Sequence, residues 1–80
     1  MVTVHRAFGF RFMILSNDHN PPHIHVFGHG CEAKITLEGP EGLWLDWSVG
    51  IGPMDMRRIM REAERERHRL LREWRRIHGR

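Results

Sequence analysis

Between its alternating apolar segments, the first two-thirds of this chain leave no connection long enough for a parallel crossover. The breaks are Ser16–Pro22, Gly28–Cys31 and Gly39–Gly42, whereas two parallel strands need about a dozen residues or more to join them. The segments must therefore pair antiparallel with their neighbours in sequence. Phe8 to Leu15 is the first strand expected, with Phe8, Phe10, Phe12 and Ile14 on one side. His23 to Phe27 is the second. Glu32 to Glu38 is the third, with Ala33, Ile35 and Leu37 inward. Leu43 to Val49 is the fourth, with Leu43, Leu45, Trp47 and Val49 inward. Asn, Asp and the two prolines make Ser16–Pro22 a turn and exclude helix there.

After residue 52 the period changes. Gly52 suits an N-cap, Pro53 the first helical position and Asp55 the positive end of the helix dipole. Apolar side chains then recur at Met56, Ile59, Met60, Ala63, Leu70, Leu71, Trp74 and Ile77, a stripe at helical spacing that Arg67 interrupts. The expected fold is α+β: a four-stranded antiparallel meander (1–52) packed on one long C-terminal helix (53–79). A helix over 53–78 would run roughly 39 Å at ~1.5 Å per residue. It would overhang a globule this small, leaving Arg67, Leu70, Trp74 and Ile77 as a candidate surface for a partner protein or a second copy.

Eighty residues allow one domain. With 40% hydrophobic and 29% charged residues the chain is not a disordered type. No apolar run approaches the ~18 residues of a membrane span, and the opening MVTVHRAFGF does not read as a signal peptide. The single cysteine, Cys31, excludes an internal disulfide and Cys-rich zinc sites. A cytoplasmic setting with no membrane partner is expected. Residues 1–52 carry three basic and five acidic side chains, residues 53–80 ten arginines and five acids. That asymmetry suits an anionic partner for the second half or a solvated helix face.

The chemistry concentrates in Asn17-Asp18-His19-Asn20-Pro21-Pro22-His23-Ile24-His25-Val26. On a strand His23 and His25 point the same way and Ile24 and Val26 the other. If Ile24 and Val26 face the helix, His23 and His25 lie on the open sheet face, with Arg11, Lys34, Thr36, Trp44 and Asp46 by the same parity. Three readings follow. His23 and His25 can act as acid and base on RNA, since imidazole titrates near neutrality. Asp18 would orient His19 or His23, Lys34 and Arg11 would hold phosphate, and Trp44 would stack a base. The histidines can instead share a transition metal such as zinc, with ligands His19, His23 and His25 or with Asp18; otherwise no cofactor is expected. Or they are structural, bonded to the Asp18 turn. His5, His68 and His78 read as solvent-exposed and His29 as a loop residue.

The stretch Ser16–Val26, with its D-H-x-P-P-H-x-H core, resembles the hallmark of a family of small bacterial proteins known as domain of unknown function 4160. Glu32-Ala33-Lys34 and the closing Leu70-Leu71-x-x-Trp74 extend the resemblance over nearly the whole chain. Members are often encoded beside another small protein and labelled toxins on that ground. The resemblance implies a toxin component of a two-protein toxin–antitoxin system, with an antitoxin-like cognate protein; joined to the acid–base reading of His23 and His25, the expectation is a toxin acting on RNA as a ribonuclease. The alternatives are a non-catalytic module that docks a small partner and a metal-binding module built on His-x-His.

Overall fold

In a computed structural model, which describes residues 1–79, five strands and two helices follow one another: β1 Val2–Ala7, β2 Phe10–Ile14, β3 His23–Gly28, β4 Cys31–Gly39, β5 Gly42–Val49, α1 Pro53–Arg65 and α2 Arg67–His78. The strands form one antiparallel meander in the order β1-β2-β3-β4-β5. Five strands replace the four expected, because Phe8 does not begin a strand. It and Gly9 are the two central residues of a hairpin turn, both with positive φ (57° and 80°). Such two-residue turns match the twist of the strands they join. The Val2–Ala7 segment is thereby free to fold back onto β2.

One sheet face makes the core. Phe10, Phe12, Ile14, Ile24, Val26, Ala33, Ile35 and Leu37 meet Ile59, Ala63, Leu70, Leu71 and Trp74 of the helices. The inward and outward sets expected for β2, β3 and β4 hold, apart from Phe8. In β5 they hold only to Leu45. Lys34 faces Trp47 and Ile35 faces Leu45, so Asp46 is an extra residue in the ladder. This bulge reverses the parity beyond it, and Trp47 and Val49 are exposed instead of inward. A second bulge at Val4, between the Thr3–Met13 and His5–Phe12 pairs, turns His5 onto the core side. There its ring meets Phe12 edge-on.

The C-terminal segment is two helices, not one. It starts as expected, with Gly52 as N-cap and Pro53 in the first turn. Glu66 then leaves helical geometry (φ −97°, ψ 8°). Its N–H still donates to Glu62 O (3.0 Å) and its carbonyl still accepts from Leu70 N–H (2.9 Å), and α2 packs on the sheet through Leu70, Leu71 and Trp74. Two arginines hold it there. Arg69 donates to Val4 O (3.0 Å), to His5 Nδ1 (2.7 Å) and to Glu66 (2.7 Å), while His5 Nε2–H donates to Glu62. Arg67 Nε donates to Leu37 O at 2.7 Å.

That last bond explains the charge in the apolar stripe. The β3–β4 register, His23 opposite Thr36, sets Pro22 opposite Leu37. Leu37 N–H donates to Pro22 O (2.8 Å), but proline has no N–H to return. Arg67 supplies the missing donor. The expected overhang is therefore corrected. Leu70 and Trp74 are 0% and 2% exposed, Ile77 packs against the core, and the Arg67 Nε is spent inside the fold. These four do not form a free partner surface. No helix of the described residues is long and apolar enough to cross a membrane.

Candidate metal centre

The loop 16–22 is tied at both ends and folds over the sheet face away from the core. Asp18 N–H donates to Leu15 O (3.0 Å), closing a turn, and Pro22 O is held by Leu37. The Asn20–Pro21 peptide is cis. Inside this frame His23 Nδ1–H donates to Pro21 O (2.9 Å). A carbonyl only accepts, so Nδ1 carries the hydrogen and the neutral ring presents a lone pair at Nε2. That lone pair lies 3.1 Å from Asp18 Oδ2, and His25 Nε2 lies 3.4 Å from the same oxygen.

The three atoms lie within 4.8 Å of one another. Both histidines are buried, at 5% and 9% exposure. Among the described residues, Asp18 Oδ2 and both His25 nitrogens are buried without a hydrogen-bond partner; the His23–Asp18 approach has a hydrogen bond's length but not its direction. Orphaned polar atoms of this kind are rare and costly. Burial pushes the His25 pKa below the ordinary 6.5; Asp18 opposes the shift and His23 adds to it. His25 is thus held as the neutral imidazole, the form a metal needs.

The spacings fit one ion. Two donors each about 2.1 Å from a metal and 90–110° apart lie roughly 3.0–3.4 Å from each other. Two imidazoles and a carboxylate on one side leave further positions open, a set that suits zinc or iron(II). The surroundings also fit. A metal-bound histidine commonly gives its other N–H to a carbonyl or carboxylate. His23 has Pro21 O; Glu32 Oε2 stands 4.0 Å from His25 Nδ1, nearby but beyond hydrogen-bond length. Phe27 stacks near His25 at 6.1 Å, Trp47 stands 6.4 Å away, and the Trp74 indole lies 5.0 Å from His23, so both rings have aromatic neighbours.

The remaining expected residues scatter. His19 is exposed and outside the cluster; the turn at Leu15 sends Asp18 inward in its place, so the His19–His23–His25 set is replaced by Asp18–His23–His25. Lys34 is half-buried opposite His25, and Arg11, exposed, faces Phe27 one pair away. Trp44 is 61% exposed beside Thr36, which donates to Asp46 (2.6 Å). His5 and His78, expected in solvent, are half-buried. Glu32 and His78 are additions to the site that spacing did not reveal. His78 Nδ1–H donates to Trp74 O (2.9 Å) and its ring stacks on that indole at 3.8 Å.

Fold and cluster together define a small α+β domain with a buried carboxylate–imidazole site. The chain belongs to the family described as Domain of unknown function (DUF4160), whose profile matches residues 9–75. That span includes Asp18, His23 and His25 and stops short of His78. Comparison with curated proteins and with solved structures finds no match.

Proposed function

We propose that this protein is a metal-binding domain in which Asp18 Oδ2, His23 Nε2 and His25 Nε2 hold one divalent transition ion with coordination positions left open. The observation that carries this reading is the convergence of those three atoms within 4.8 Å, with Asp18 Oδ2 and His25 Nε2 buried and unpartnered among the described residues. A bound cation would give Asp18 Oδ2, His23 Nε2 and His25 Nε2 one shared partner. Metal-free acid–base cleavage of RNA by His23 and His25 has weaker support, because both rings are covered and a phosphodiester needs to touch each of them. The toxin role and the cognate partner rest on the family resemblance alone.

The test is metal content and melting temperature of tag-free protein. Near-stoichiometric zinc or iron after purification, or a rise in melting temperature on adding either ion, is expected in the wild type and not in Asp18→Ala/His23→Ala. Metal-free protein whose melting temperature ignores zinc, iron(II), cobalt(II) and manganese(II) would overturn the reading.

A further inference from the structure

The end of the sheet opposite the 16–22 loop carries rings and charges that neither the core nor the metal site uses. Two hairpin turns stand side by side there, Phe8–Gly9 and His29–Gly30. All four residues have positive φ, 57° and 80° in the first turn, 52° and 74° in the second. Asn or Asp before Gly is the preferred pair for such turns. This chain instead sets a ring at the first position of each, and both rings belong to exposed residues. Phe8 is the costlier, because that backbone region disfavours large side chains. The turns touch: a Cβ on Gly9 would stand 2.5 Å from His29 Nε2.

Arginines surround the two rings. The Arg58 guanidinium lies 5.9 Å from the centre of the Phe8 ring. Arg57 and Arg61 are its exposed neighbours on α1. Arg6 and Arg11 face each other directly in the β1–β2 ladder, one pair from the Phe8 turn, and both are exposed. Like charges so opposed destabilise a sheet. Arg58 has Asp55 at 3.8 Å. Arg6, Arg11, Arg57 and Arg61 have no acidic partner among the described residues. A disfavoured turn residue and an uncompensated arginine pair thus meet at one exposed tip. Costs of this kind gather where a surface serves binding at the expense of stability.

We infer that this end of the sheet binds single-stranded nucleic acid, with unpaired bases on Phe8 and His29 and the phosphate backbone along the arginines. The surface shares no residue with the metal site, and the inference stands without it. Three observations favour this partner over other anionic ones. The apolar side of α1 is spent on the core through Met56, Ile59 and Ala63, so the helix has no apolar face to sink into a membrane. The centre of a protein–protein interface is depleted of charge, whereas nucleic-acid interfaces are strongly positive and the guanidinium fork matches phosphate. An exposed ring stacks any base, but only where the base is unpaired.

The test is fluorescence anisotropy of labelled oligouridylate and oligodeoxyuridylate with the full chain, the two sugars separating an RNA from a DNA source. Saturable binding is expected, tighter than for a duplex of the same length, polyglutamate or phosphatidylserine vesicles. About four phosphate contacts imply a roughly 50-fold loss of affinity between 50 and 200 mM salt, and Arg6→Gln/Arg11→Gln should lower that salt slope by about 1.4. Phe8→Asn removes the ring and supplies a residue the turn prefers. Its melting temperature should not fall, while binding weakens about tenfold, as loss of one stacked base implies. Phe8→Tyr should bind as the wild type does. Equal affinity in Phe8→Asn and wild type would overturn the inference, as would no binding at low salt or an unchanged salt slope in the double arginine variant. Polyglutamate or vesicles binding as tightly as the oligonucleotides would also overturn it, and would give the surface to an acidic protein or to a membrane. A Phe8→Asn protein less stable than wild type would make the ring structural and overturn it as well.

Discussion

Two regions of this molecule bury polar groups, and they treat them in opposite ways. Beneath the helix bend, His5, Glu62, Glu66 and Arg69 saturate one another, and Arg67 gives Leu37 O the donor that Pro22 lacks. Every bond there serves cohesion, as expected where buried polar groups exist only to hold a fold. Across the sheet, Asp18 Oδ2 faces His23 Nε2 and His25 Nε2 at 3.1 and 3.4 Å, and Asp18 Oδ2 and both His25 nitrogens have no hydrogen-bond partner among the described residues. The same chain that replaces one missing proline donor with an arginine leaves these three buried atoms unserved. A fold tolerates that cost where something outside the chain repays it.

The contrast can be broken first with metal. Zinc at about 100 times its dissociation constant should add roughly 2.7 kcal/mol, some 10–20 °C in melting temperature for a domain this size. The gain should vanish in His23→Ala and survive in Arg67→Ala. A calorimetric scan with and without zinc reads both.

The cohesive side should behave in the reverse manner. Arg67→Ala leaves Leu37 O without its donor and should cost about 1–3 kcal/mol in urea unfolding, with zinc affinity unchanged. Pro22→Ala offers a backbone N–H to the same carbonyl. In that background the cost of Arg67→Ala should shrink by about 1 kcal/mol, a coupling that a double-mutant cycle measures directly. Additive effects would show that the arginine does not stand in for the proline.

Asp18→Asn sharpens the comparison from the other side. An amide can donate where the carboxylate only opposes lone pairs. The metal-free protein should therefore gain up to about 1 kcal/mol while losing zinc binding. A metal-free Asp18→Asn protein less stable than wild type would argue that Asp18 already has a proton-bearing partner.

The smallest effect is one of pH. His25 binds its proton less readily folded than unfolded because burial penalises the charged ring. Between 6.5 and the lower folded value the unfolded chain holds the extra proton, so stability rises with pH in that window. Metal-free wild type should thus lose stability as pH falls below 6.5, and His25→Gln should lose less. Urea midpoints at pH 8, 6 and 5 for the two proteins isolate the difference.

Much of the fold was legible because it followed period and punctuation. Ala33, Ile35 and Leu37 alternate with polar and charged partners, and Gly52-Pro53 marks a helix start that the structure keeps. The failures occur where a single residue breaks the period. A phenylalanine at positive φ hides the Phe8–Gly9 turn, since that backbone region disfavours large side chains. One extra residue at Asp46 turns Trp47 outward, and one at Val4 turns His5 inward. The bend at Glu66 has no proline or glycine to announce it. In the site, His23 and His25 were legible from the i, i+2 spacing of a strand. Choosing Asp18 over His19 was not, because adjacent loop residues differ only by a turn whose bond runs to Leu15 O. His78 lies 55 positions from His23; the i, i+4 spacing of α2 sets it on Trp74, and the packing of α2 on the sheet brings that pair alongside His23 and a pocket that Asp18 also lines.

The most direct test of the central claim is the X-ray absorption spectrum of the zinc-loaded wild type. The account predicts a nitrogen and oxygen shell at about 2.0–2.1 Å with the outer-shell scattering of two imidazoles, reduced to one imidazole in His25→Ala. A sulfur scatterer at about 2.3 Å would transfer the ion to Cys31, and a wild-type shell with no imidazole would contradict the site outright.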